Sequence, residues 1–198
     1  MEVKESMNRI AIGTAQFGLH YGVANQQGEM TQEQVQELLD AARFAGLDTL
    51  DTAVSYGNSE ARLGLAGVAP WRIVSKLPRL PEGNIAIDSW INEVVQNLRQ
   101  RLRVDRLHAL LLHRPNDLLT KNGEALYTAL QKLKERGVVL KIGISVYGPV
   151  ELDSICPKYP IDIVQIPFNP IDRRLTESGW LARLHDHGIE VHVRSIFL

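Results

Sequence analysis

Apolar positions along this chain switch repeatedly between helical spacing and short unbroken runs. Val35, Leu38, Leu39 and Ala42 recur at helical spacing after Thr31, which with Gln34 matches a capping-box start, and Gly46 marks the stop. Residues 47–50 follow as a short apolar run, a buried strand ending at Asp51. Residues 59–66 predict a short helix, and residues 72–76 a second strand after the break at Pro70.

The pattern then repeats. Ile91, Val94, Val95, Leu98 and Leu102 share one face of a helix capped by Asp88 or Ser89, with Asn92, Glu93, Gln96 and Arg99 opposite. Residues 107–112 predict a third strand, residues 123–136 a helix closed by Gly137, and residues 140–145 a fourth strand. Pro149 opens a brief helix, residues 161–166 form a fifth strand, residues 175–187 a helix closed by Gly188, and residues 189–195 a sixth strand. Upstream, residues 10–12 begin as a small strand and pass into a loop punctuated by Gly13, Gly18 and Gly22.

Nearly continuous apolar strands between amphipathic helices indicate a parallel sheet covered by helices. Asp51, Lys76, His113, Ser145, Gln165 and Ser195 all fall at or near the C-terminal ends of successive strands. In a barrel these positions share one mouth, whereas an open doubly wound sheet gathers its ligand groups at one switch point. No G-x-G-x-x-G turn follows the first strand. The expected fold is therefore an α/β barrel of the (β/α)8 TIM type. A complete barrel takes about 250 residues and eight strands. The chain holds about six strand-helix units, so the expectation is one domain over residues 1–198, incomplete at its C-terminus. Either the sequence is a fragment of a longer protein, or strand edges near residues 47–51 and 189–195 stay open and invite self-association.

Composition narrows the classes. With 44% hydrophobic and 23% charged residues and a formal net charge of −1, neither nucleic acid nor a membrane surface is favoured as a partner. No run approaches the roughly 20 apolar residues of a spanning helix, and residues 1–6 lack a signal peptide's apolar core. The cytoplasm is the expected location. Cys156 is the single cysteine and reads as a small apolar filler, and no Cys/His cluster has metal-ligand spacing. His108 and His192 alternate with apolar strand residues and are expected to be bonded within the fold, while His20 and Tyr21 sit in the early loop, within reach of a substrate.

Two motifs carry chemistry. Asp51 ends a strand, and Tyr56 follows among Ser55, Gly57, Asn58 and Ser59, turn formers that would hold a phenol at the mouth. Lys76 and His113 end the next two predicted strands. Taken singly, Asp51 and Lys76 could be a rim ion pair and Tyr56 a loop aromatic; a rim pair does not require the tyrosine and the histidine as well.

The segment Gly46-Leu47-Asp48-Thr49-Leu50-Asp51-Thr52-Ala53, followed by Ser55-Tyr56-Gly57-Asn58-Ser59-Glu60-Ala61-Arg62-Leu63-Gly64, resembles the signature of the aldo-keto reductase family. Val74-Ser75-Lys76 resembles the family's lysine strand, and Leu111-Leu112-His113-Arg114-Pro115 its histidine strand. The resemblance implies an NADP(H)-dependent oxidoreductase acting on a small-molecule aldehyde or ketone, with Asp51, Tyr56, Lys76 and His113 as its catalytic tetrad. Tyr56 would donate the proton, the Lys76 ammonium would lower the phenol's pKa, Asp51 would hold the ammonium, and His113 would orient the carbonyl. Gly13, Thr14, Ala15, Asp51, Ser145, Gln165, Arg194 and Ser195 form the implied cofactor-binding set. Many members carry Ser-Asn where this chain has Ser145-Val146, and an aromatic where it has Arg194, whose guanidinium could lie flat on a ring. The alternatives are a catalytically inactive cofactor- or partner-binding remnant of the same fold, and a barrel lyase or hydrolase using Asp51 and Lys76.

Overall fold

A computed structural model describes residues 9–22, 25–83 and 85–196, leaving the opening residues 1–6 and the chain's last two residues outside the described part. Seven parallel strands form one sheet in sequence order: β1 (Ala11–Gly13), β2 (Thr49–Asp51), β3 (Arg72–Leu77), β4 (Leu107–Leu112), β5 (Val139–Ser145), β6 (Ile163–Pro167) and β7 (Glu190–Arg194). The sheet curls into an incomplete barrel of the (β/α)8 type. Its helices are α1 (Gln32–Phe44), α2 (Ser59–Ala66), α3 (Ile87–Leu102), α4 (Gly123–Glu135), α5 (Pro149–Ile155), α6 (Arg174–Glu177) and α7 (Trp180–Asp186).

Local chemistry explains the boundaries. Thr31 Oγ1 accepts from Gln34 N while Gln34 Oε1 accepts from Thr31 N, the capping box read from the sequence, and Gly46 leaves α1 at a φ of 80°. Pro149 opens α5, where its missing N–H deprives the helix of nothing.

Four expectations are corrected. Residues 11–13 pair with β2, Gly13 opposite Asp51, so seven strands are present and the free edge on that side is β1, not residues 47–51. At the other side β7 pairs with β6 alone among the described residues. Neither Asp88 nor Ser89 caps α3; the helix starts one residue earlier, and Asp88 instead faces Lys132 at 3.0 Å. Residues 175–187 are two helices, because Gly179 takes a left-handed φ of 77° that breaks the ladder.

Two apolar layers hold the elements together. The larger lies between helices and sheet and includes Leu39, Leu50, Ile73, Leu98, Leu110, Leu130, Ile144 and Ile166; each such side chain contributes about 1.5–3 kcal/mol when buried. The smaller, Val74, Ala109, Leu111 and Ile163, lies on the sheet's inner face, at ladder positions shared with Lys76, Ser145 and Gln165. This inner plug separates the C-terminal mouth of the strands from their N-terminal floor. Trp71 and Trp180 are buried, and Trp180 Nε1 donates to Asp153.

Candidate active site

Asp51 is the hub of the mouth. Lys76 Nζ, on the neighbouring strand and 1% exposed, donates to both Asp51 oxygens at 2.8 Å and to the Thr52 carbonyl at 2.9 Å. Gln165 Nε2 reaches the same carboxylate from β6 at 2.7 Å, and Ser145 Oγ donates to Gln165 Oε1 at 3.2 Å. Strands β2, β3, β5 and β6 are thereby tied through one carboxylate.

Tyr56 sits above this network. Lys76 Nζ lies 5.2 Å from its ring centroid, and the His113 ring meets it edge-on with centroids 6.0 Å apart. Ser55 Oγ lies 3.2 Å from His113 Nδ1. The structure thus brings together all four side chains expected to act. The phenol hydroxyl and His113 Nε2 have no hydrogen-bond partner among the described residues.

The electrostatics correct one expectation. Burial, then the Asp51 carboxylate, pushes the Tyr56 phenol well above its ordinary value, and Lys76 does not offset this. Lys76 has three N–H groups, and all three point to Asp51 and Thr52. Burial lowers Lys76 despite Asp51, and burial followed by the Lys76 charge lowers His113, which favours a neutral imidazole near pH 7. Arg194 is the cation that pulls Tyr56 downward.

The tyrosine loop is clamped from the side. Gly18 lies so near it that an added Cβ would sit 2.1 Å from Tyr56 O and 2.3 Å from Ser59 N, and one on Gly57 would sit 2.2 Å from Gly18 O. Ser59 Oγ donates toward Thr14, and Arg62 Nη1 donates to Phe17 O at 2.6 Å. The sequence offers only two ordinary loop glycines here; their mutual contact bridges residues too far apart to be read from spacing.

The expected cofactor residues divide. Gly13 faces open space, with nothing within 4 Å of an added Cβ. Thr14 is fully buried and its hydroxyl donates to the Asp51 carbonyl, so it braces the mouth from behind. Ala15 begins a single 3-10 turn ending at Phe17. Ser145 and Gln165 belong to the Asp51 network. Ser195 takes a φ of 58°, and its carbonyl accepts from Asn169 Nδ2 at 3.1 Å. Arg194 donates to Val146 O and covers the Tyr147 ring at 4.4 Å. Sequence reasoning missed Ser55, Tyr147 and Asn169, each recognisable only once the strands are aligned. Cys156 is half-buried and its thiol is pushed up to about 11 by burial and Asp153, as befits a filler. His20 Nε2 lies 3.1 Å from Asn25 O, and Tyr21 is exposed.

A curled parallel sheet with ionisable side chains gathered at its C-terminal strand ends defines a β/α-barrel scaffold. A model of the Aldo/keto reductase family matches residues 9–198, and the chain belongs to that family. Aldo-keto reductase YhdN of Bacillus subtilis is 26% identical over 182 residues, which are 86% of this chain and 53% of the relative. A Mycolicibacterium smegmatis aldo-keto reductase is 28% identical over 134 residues, 65% of this chain and 45% of the relative. The chain thus spans about half the length of these curated relatives. PA4992 of Pseudomonas aeruginosa, a solved structure described as an aldo-keto reductase, superposes with a TM-score of 0.76 at 26% identity, covering 92% of this chain and 71% of that one. An aldo-keto reductase from Klebsiella pneumoniae solved in complex with NADPH shares the fold, with a TM-score of 0.72 at 22% identity over 94% of this chain and 63% of that one. Among the described residues no helix is long and apolar enough to cross a membrane, and no group of His, Cys, Asp and Glu could hold a metal ion.

Proposed function

We propose that the chain carries the reacting half of an NADP(H)-dependent aldo-keto reductase that interconverts an aldehyde or ketone and its alcohol. The observation that carries this reading is the Asp51–Lys76 pair at 2.8 Å with Tyr56 and His113 packed over it, three strand ends and one loop converging on one point.

Two features fit a nicotinamide at this mouth. Gly13 leaves room beside Asp51 that any side chain would take up, and the Tyr56 hydroxyl and His113 Nε2 are polar atoms without partners among the described residues. Gly13, Ser145 and Gln165 would hold the carboxamide end, with Asp51 behind them, Thr14 and Ala15 shaping the loop, and Arg194 and Ser195 closing the far side. When bound, the cofactor supplies the hydride that adds to the carbonyl carbon. NADPH enters this reading through the family and through the Klebsiella pneumoniae structure.

Tyr56 holds the proton for the carbonyl oxygen. A raised phenol stays protonated at neutral pH, and the alkoxide developing on the substrate is a stronger base than phenolate, so transfer from Oη remains downhill. Neutral His113 has one ring N–H. If Ser55 donates to Nδ1, that proton sits on Nε2 and can hold the carbonyl oxygen beside Tyr56. Lys76 and Asp51 supply a fixed dipole beneath the phenol, placed before the reaction begins.

A second reading, a cofactor- or partner-binding remnant without turnover, is favoured by one observation: Lys76 directs every N–H away from Tyr56. Titrating the purified chain with NADPH, followed by tryptophan fluorescence and then by loss of absorbance with a carbonyl substrate, separates the readings. Saturable quenching with turnover is expected. Quenching without turnover supports the remnant, and the absence of both sinks the reductase reading for this chain.

A further inference from the structure

Arg194 ends β7 on the sheet's inner face, paired with Pro167 just beyond the Gln165–His192 register. Its guanidinium is held in place from two sides. Nη2 donates to the Val146 carbonyl at 3.1 Å, and the flat face covers the Tyr147 ring at 4.4 Å. An arginine has five N–H donors in a rigid fork, so most of this one's edge stays free.

A carboxylate that feels its charge, Asp172, is already bound to Arg174. Among the described residues Arg194 forms no ion pair, while the nearby charges close on each other, Lys76 on Asp51 at 2.8 Å and Arg174 on Asp172 at 2.7 Å. The Arg194 charge is felt at Tyr56, Lys76 and His113. Tyr147 and Tyr21, both exposed, add phenol donors at the same rim. A neutral carbonyl compound offers this fork no charged partner.

We infer that the substrate carries an anionic group, a carboxylate or a phosphate, and that the free N–H edge of Arg194 recognises it. The inference rests on the reductase reading above and deepens it. Guanidinium matches both anions in a bidentate, charge-assisted geometry, and its anchoring on Val146 and Tyr147 means that little side-chain freedom is lost on binding. Stacking on a cofactor ring would use the flat face, whereas an anion uses the edge, so the two roles draw on different parts of the group.

The test compares kcat/KM for two matched pairs of aldehydes: 4-carboxybenzaldehyde with its methyl ester, and glyceraldehyde 3-phosphate with glyceraldehyde. The charged member of at least one pair should be preferred by about 10- to 100-fold, the range of one good charge-assisted contact. Arg194→Gln should bring that preference close to one, and Arg194→Lys should keep part of it; the pair affected tells carboxylate from phosphate. No preference in the native chain, or one that Arg194→Gln leaves intact, overturns the inference. So does an equal loss on charged and neutral members, which would place Arg194 on the cofactor. Calorimetric binding of 4-(hydroxymethyl)benzoate and its methyl ester supplies a readout without turnover. Binding of the acid alone, abolished by Arg194→Gln, upholds the anion site even if no aldehyde is reduced and the reductase reading fails. Equal binding of acid and ester, together with no preference for glyceraldehyde 3-phosphate over glyceraldehyde, overturns the inference.

Discussion

Two carboxylates act as hubs on the inner face of the sheet, Asp51 at the mouth and Glu190 at the floor, and their surroundings differ in kind. Glu190, the first residue of β7, accepts from His192 Nε2 at 2.7 Å and from Lys141, faces His108 Nε2 at 3.3 Å and lies 3.4 Å from Arg72. Bonds from His108 and His192 hold its carboxyl below the usual range. At the mouth, Lys76 and Gln165 saturate Asp51, but Tyr56 and His113 beside it keep unpaired polar atoms and are pushed by burial toward their neutral forms. The floor satisfies its groups and ties β3, β4, β5 and β7 together; at the mouth the Tyr56 hydroxyl and His113 Nε2 have no partner among the described residues. Barrels place chemistry at the C-terminal strand ends and stability at the other end, and the positions of the two hubs match that division.

Breaking the two hubs should have unequal consequences. Asp51→Ala leaves the Lys76 ammonium buried without a counter-charge, so we expect a loss of about 3–5 kcal/mol in denaturant unfolding together with loss of turnover. Gly18→Ala drives a Cβ into the Tyr56 carbonyl; kcat should fall by about 100-fold with NADPH affinity kept, read from parallel kinetics and fluorescence titration. Glu190→Gln should cost about 1–2 kcal/mol without changing turnover per folded molecule. Because the Glu190 carboxyl is held down, its contribution is full above about pH 4.3 and fades as the pH falls below that value, so native and Glu190→Gln melting curves should converge in acid. The smallest effect is in the pH profile: a raised Tyr56 keeps its proton, so kcat should show no alkaline decline below about pH 10, whereas acidification by Lys76 would bring one.

Much of this was legible along the chain. Strand ends at Asp51, Lys76 and His113, the capping box at Thr31 and the helix over residues 59–66 follow from local spacing, which the structure preserves. What could not be read depends on partners distant in sequence. Glu190 looks like any charge at a strand start until strands from residues 72 to 192 are brought side by side. Lys76 reads as the cation beside a phenol; only the count of its bonds shows that no N–H remains for Tyr56. Residues 175–187 read as one helix because apolar spacing continues across Gly179, whose backbone turns the other way.

The central claim is that Tyr56 is a proton donor poised at the mouth and not a packing aromatic. Its hydroxyl has no partner among the described residues, so Tyr56→Phe removes no internal hydrogen bond and should leave stability within about 0.5 kcal/mol. The most direct test measures carbonyl reduction and NADPH affinity of that variant side by side. We predict that turnover falls by about 100- to 10,000-fold while NADPH binding is retained. Turnover equal to that of the native chain would contradict the account.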